Sequence, residues 1–146
     1  MAGMNASALP ETLAEIRDGF LETPESDRLL LLLEYADELP AVSDEVAAHP
    51  EMGERVAECQ SPVYIYVEVH DDVVTMHATA PEEAPTTRGF ASILVQGITG
   101  LTADEVLAIP EDYPQSIGLT KAVSPLRIGG MTGMLMRAKN QVRQKR

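Results

Sequence analysis

A β-rich stretch interrupts an otherwise helix-patterned chain at Pro62 to Ala80, and that interruption limits the fold. Pro62 to Val69 is rich in Val, Ile and Tyr, His70-Asp71-Asp72 is a polar turn, and Val73 to Ala80 returns. β-Branched content on both sides of a short polar turn predicts an antiparallel hairpin. A hairpin alone is marginal in water, so the flanking segments must cover one of its faces.

Those segments have helical spacing. Leu13, Ile16, Phe20 and Leu21 form one stripe over Pro10 to Leu21, which Thr23-Pro24 ends. A second helix is predicted over about Glu25 to Leu39, with Leu29, Leu32, Leu33, Ala36 and Leu39 inward and Pro40 as its stop. The two are expected to pair as an antiparallel helical hairpin. Beyond the β stretch, Phe90, Ile93, Leu94, Gly97 and Ile98 mark a helical face closed by Gly100. Thr102 and Glu105 form a capping-box pattern for a short helix through about Ala108. Ser124-Pro125 opens a terminal helix whose Ile128, Met131, Leu135, Ala138 and Val142 repeat at spacings of three and four. Helices, then a hairpin, then helices, without strand-helix alternation, predict an α+β fold with a small antiparallel sheet packed against helices. At 146 residues a single domain spanning 1–146 is expected, with residues 1–8 disordered and 137–146 forming the basic end of the terminal helix.

Charge narrows the partners. Residues 1–119 carry all 23 acids and four bases, residues 120–146 carry seven bases and no acid, and the net charge is −12. That sign argues against a general nucleic-acid binder and against an anionic-membrane binder. The apolar run Leu29 to Leu33 is five residues long, where a membrane span needs about 20. Met1 to Ala8 lacks the basic start and apolar stretch of a secretory signal, and a lone Cys59 cannot close an internal disulfide. A cytoplasmic, reducing compartment is the expectation. The bases Arg137, Lys139, Arg143, Lys145 and Arg146 are expected to complement the helix macrodipole and pair with the acidic body, more than to form a docking patch for an acidic partner.

Cys59 is the one residue whose chemistry has no duplicate in the chain. Free cysteines are most often inert small hydrophobes. The polar segment Glu58-Cys59-Gln60-Ser61-Pro62 leading into a strand favours a thiol presented by a loop. Glu54 and Glu58 would raise its pKa unless Arg55, or Arg88 or Arg127 brought in by the fold, offsets them. His49, His70 and His77 have no zinc-ligand spacing and read as surface or turn residues; a Cys59/His70 or Cys59/His77 dyad is only weakly signalled. Gly129-Gly130-Met131-Thr132-Gly133 lies in a helical pattern without a preceding strand or a phosphate-holding Lys, so it predicts close helix packing.

Val56-Ala57-Glu58-Cys59-Gln60-Ser61-Pro62-Val63-Tyr64 resembles the signature of the SufE family of sulfur-acceptor proteins (SufE/CsdE type), an apolar residue, Gly-Cys-Gln-Ser, then Val and an aromatic. The likeness continues through Asp27-Arg28 to Leu39-Pro40, Arg88-Gly89 with its following helix, Leu101 to Val106, and Leu119 to Met134 with Ser124-Pro125-Leu126-Arg127. The chain departs from the pattern at Glu58, where the family has Gly, at Tyr64, where it has Trp, and over Ala80 to Pro85. A Glu at 58 removes easy access to positive φ and places a charge beside the thiol.

The resemblance implies the small α+β fold of SufE and IscU. It implies that Cys59 takes persulfide sulfur from a pyridoxal-phosphate-dependent cysteine desulfurase of the SufS or CsdA type and passes it to an iron–sulfur scaffold of the SufB type. On that reading the protein is a sulfur carrier and desulfurase activator, not an enzyme, with no cofactor of its own. One cysteine suffices for a carrier, whereas cluster scaffolds need several ligating cysteines. Arg127 is the weaker site residue, contacting the donor or steadying the cysteine loop, and it is expected to matter more for docking than Arg143 to Arg146. The alternative is a single-cysteine thiol hydrolase or peroxide-reducing enzyme, and a homodimer is left open.

Overall fold

The computed structural model describes residues 9–146; the expectation for residues 1–8 lies outside them. In chain order the elements are α1 (Glu11–Glu22), a 3-10 turn (Glu25–Asp27), α2 (Arg28–Asp37), α3 (Asp44–Ala48), a second 3-10 turn (Pro50–Met52), β1 (Glu54–Arg55), β2 (Tyr64–His70), β3 (Val73–Thr79), α4 (Pro85–Ile98), α5 (Ala103–Leu107), α6 (Tyr113–Ser116) and α7 (Pro125–Lys145). The architecture is α+β, as the pattern predicts.

The hairpin forms with His70 opposite Val73. Asp71 and Asp72 occupy the left-handed region at φ 52° and 66°, the conformation a two-residue turn needs to match strand twist, and Asp tolerates it better than most side chains. Alternation then directs Ile65 and Val67 of β2 and Val74, Met76 and Ala78 of β3 to one buried face. α7 packs on β2 and α4 on β3, covering that face. The short β1 adds a third antiparallel strand on the other side of β2, pairing Glu54 with Ile65 and Arg55 with Tyr64. Two residues carry no periodicity, so this strand has no signal in the sequence.

β1 covers only the start of β2, and side chains of α7 take over where it stops. The Gln141 amide accepts from Val67 N–H (2.8 Å) and donates to Ile65 O (2.9 Å), the two bonds a neighbouring peptide would make. Lys145 Nζ donates to Val67 O (2.6 Å) and lies 4.3 Å from the Tyr66 ring centroid. An edge left bare would invite pairing with another chain; here a helix closes it.

The first two helices differ from the expected hairpin. Both pack mainly on α4 and meet each other through the Phe20 and Tyr35 rings, 5.7 Å apart. Glycines of α4 explain this, since a Cβ on Gly89 would fall 2.6 Å from Leu32 O and one on Gly97 would overlap the Leu13 side chain. Small residues let both helices approach α4 more closely than each other. Leu32 and Ala36 are buried as read, Leu33 and Leu39 are half-buried, but Leu21 and Leu29 are exposed. Leu29 borders a shallow hollow with Thr86 and Arg127 in place of the expected inward position.

The capping box at Thr102 and Glu105 is present, with both reciprocal bonds made. Ser124 Oγ accepts from Arg127 N–H and Pro125 occupies the first turn of α7. Ile128, Met131, Leu135, Ala138 and Val142 are all buried, so the terminal stripe packs into the core as its spacing predicts.

Candidate functional site

Cys59 lies in the loop between β1 and β2. Val56 N–H donates to Val63 O (2.9 Å) and Cys59 N–H to Val56 O (3.1 Å), closing the loop at its base and tightening its first turn. Val56 and Val63 are fully buried and anchor the loop to the core, while the residues between them reach over α7. The cysteine is only 8% exposed.

α7 makes room for this arrangement. A Cβ on Gly130 would meet Cys59 Sγ at 2.9 Å, and one on Gly133 would meet the Glu58 carboxyl carbon at 2.8 Å. The glycine-rich stretch therefore permits close packing as expected, but what it admits is the cysteine loop and not another helix. One turn on, Arg137 Nη1 donates to Glu58 Oε2 (3.0 Å) and to Gly133 O (3.4 Å), while its Nε is 4.0 Å from Glu54 Oε2.

Burial pushes the Cys59 thiol above its ordinary pKa, and the Glu58 carboxylate adds to the rise; Arg137 and Arg55 partly offset it. Of the bases expected to compensate, Arg55 does, whereas Arg88 is turned to Ala80 O (2.7 Å). Arg137 was not among the residues the sequence singled out for the site. Its signal is the spacing Gly130, Gly133, Arg137, one face of a helix across two turns, but nothing local in the sequence says that residues 54–59 cover that face.

Beside the thiol is a cavity of about 410 Å³. Residues 58–61 form one wall, residues 83–87 a second, and Ser124, Leu126, Arg127 and Gly130 a third. Arg127 thus borders the same cavity as Cys59, although the two are far apart in sequence. Among the described residues no acid pairs with its guanidinium. The first turns of α4 and α7 also border the cavity, and Ala84 at the start of α4 gives no side-chain cap. The cavity is thus bordered by two helix N-termini and the Arg127 guanidinium, while the positive charges that act on the thiol itself are Arg137 and Arg55.

None of the three histidines lines this cavity: His49 pairs with Glu51 (3.1 Å), His77 with Glu68 (3.0 Å), and His70 ends β2. A cysteine–histidine dyad has no geometry here. Among the described residues, no group of three His, Cys, Asp or Glu side chains could hold a metal ion, and no helix is long and apolar enough to cross a membrane. The basic tail largely folds back on the body: Arg137 pairs with Glu58, Lys139 donates to Ile109 O, and Arg146 pairs with Asp104 (2.8 Å).

Comparison with known proteins agrees with this architecture. The family model for SufE, an Fe–S metabolism associated domain, matches residues 14–142. An uncharacterised SufE-like protein of Mycobacterium tuberculosis is 46% identical over 139 residues, covering 94% of this chain and 96% of its own. A SufE-like protein of Synechocystis is 30% identical over 130 residues, covering 87% of this chain and 77% of its own. The solution structure of a hypothetical protein from Thermus thermophilus superposes with a TM-score of 0.82 at 33% identity, covering 94% of this chain and 97% of the other.

Proposed function

The chain belongs to the SufE family, whose domain is associated with Fe–S metabolism, and from that premise we propose that Cys59 is the acceptor of sulfane sulfur from a cysteine desulfurase. The observation that carries the reading is the seat of Cys59: a lone thiol, nearly buried, beside a cavity bordered by Arg127 and two helix N-termini.

The chemistry needs one sulfur on this chain. The Cys59 thiolate attacks the terminal sulfur of the donor's cysteine persulfide; a new S–S bond forms on Cys59, the donor's S–S bond breaks, and the donor cysteine leaves as thiolate. One persulfide and one thiol become one thiol and one persulfide, so no outside oxidant or reductant is consumed. Negative charge is present on both sulfurs during the exchange. On this reading Arg127, which borders the same cavity, offsets that charge or meets the donor surface.

With no second cysteine in the chain, the product cannot collapse into an internal disulfide. It stays available for a downstream acceptor, a scaffold of the SufB type. A shielded thiol with a raised pKa is slow to oxidise, which suits a carrier better than a peroxide-reducing enzyme. The donor is a pyridoxal-phosphate-dependent desulfurase of the SufS or CsdA type, and the exchange takes place in the cytoplasm.

The test is Cys59→Ser. The variant is expected to keep its fold by circular dichroism and to lose stimulation of the desulfurase, read as alanine release under limiting reductant. A folded variant that still stimulates the donor contradicts the relay.

A further inference from the structure

The seat of Cys59 is closed by its neighbour in sequence. Glu58 and Cys59 enter adjacent notches on α7, left by Gly133 and Gly130, and a side chain one turn further along α7 holds the Glu58 carboxylate. That side chain is Arg137, which donates to Glu58 Oε2 at 3.0 Å and reaches towards Glu54 at 4.0 Å. Gln141, one turn further, donates to Glu54 Oε1 at 3.3 Å. Gly130, Gly133, Arg137 and Gln141 therefore make one helix face that holds the segment from β1 through Cys59. The carboxylate of Glu58 is about half exposed, so water and salt reach this ion pair from the Glu58 side, while the Arg137 side chain is largely covered. The hydrogen bonds of Gln141 to β2, by contrast, are buried.

From this geometry we infer that Arg137 is a positioning residue for Cys59, acting through Glu58 as a latch that holds the cysteine loop on α7 and must open for the thiol to leave its seat. The inference concerns access to the thiol and holds whichever chemistry the thiol performs. Charges facing the site come from Glu54, Glu58 and Arg55 on the loop side, Arg137 on α7, and Arg127 and Glu83 at the cavity wall. A latch differs from a purely electrostatic effect of these groups because it controls how often the thiol is reachable and not only how often it is ionised.

The experiment uses the full chain and a neutral reagent, iodoacetamide, with Cys59 alkylation followed by mass across a pH series. Each series gives the midpoint of thiol ionisation and the plateau rate of the thiolate. Glu58→Gln removes a negative neighbour and should lower the midpoint; Arg137→Gln removes a positive one and should raise it. The latch predicts that both variants raise the plateau, by about fivefold, the scale of a half-exposed ion pair. Exchanging the charges, Glu58→Arg with Arg137→Glu, should bring the plateau back towards the wild-type value. Added salt should raise the wild-type plateau and leave the Gln variants unchanged. If Arg137→Gln does not fold, Glu58→Gln carries the comparison. Midpoints that move in opposite directions over an unchanged plateau would overturn the latch. That result would leave the sulfur-acceptor reading standing, because no desulfurase takes part in the measurement.

Discussion

Gly130 and Cys59 share one volume: a Cβ on the glycine would lie 2.9 Å from the cysteine sulfur, so the thiol fills the space a side chain would take on α7. The resting position of the thiol therefore depends on a glycine 71 residues later in the chain, and on a partly exposed ion pair beside it.

Gly129 and Gly130 should consequently respond in opposite ways to the same substitution. Nothing lies within 4 Å of a Cβ on Gly129, so Gly129→Ala should stabilise by about 0.5–1 kcal/mol through helix propensity. Gly130→Ala gains the same propensity but must displace the thiol, at a cost of about 1–3 kcal/mol. Urea titration of both variants checks the difference, and Gly130→Ala should also speed alkylation of Cys59.

The thiol's pKa is raised, so at neutral pH Cys59 is protonated and its alkylation should still be accelerating above pH 8.5, the ordinary thiol midpoint of about that value. Linkage gives the sign for stability. The folded chain holds this proton more tightly than the unfolded chain, so its contribution is fully present below the unfolded pKa and is lost as pH rises through the folded one. Comparing the pH dependence of unfolding for wild type and Cys59→Ser isolates this loss, which the variant should lack.

Gln141→Ala should cost about 1–3 kcal/mol, because it leaves Val67 N–H unpaired in a buried position. Chemical denaturation measures the cost. Val142 is fully buried beside it, so removing all residues after Asn140 would strip core as well as charge and is not a clean test of the basic tail.

Point changes separate the tail from the cavity. Arg127→Ala should impair sulfur acceptance by about tenfold or more if it meets the donor, whereas Arg143→Ala, whose side chain turns to Asn140 (2.7 Å), should leave it near wild type. Rates measured with the desulfurase at rising salt should fall for the wild type, as expected for an encounter steered by charge.

The residues that could be read from sequence are those whose signal is local. The stripe from Ile128 to Val142, the turn at Asp71-Asp72 and the capping box at Thr102 each announce themselves within a few positions, and each is found. The neighbour of α1 and α2 is not legible in the sequence, because their apolar stripes say only that each buries a face; Gly89 and Gly97 of α4 decide which neighbour takes it. At the site, Cys59 stands out by its uniqueness and its segment. Arg137 does not, since its partner Glu58 is 79 residues away and nothing local marks a base in the middle of a helix as a site residue.

The central claim is tested most directly by intact mass in a single turnover. The protein is mixed with a pyridoxal-phosphate-dependent cysteine desulfurase and one equivalent of cysteine, then quenched with an alkylating reagent. Wild type should gain the mass of one sulfur atom, mapped by digestion to Cys59, and Cys59→Ser should gain none. Donor persulfide that accumulates while wild-type Cys59 gains no sulfur would contradict the account.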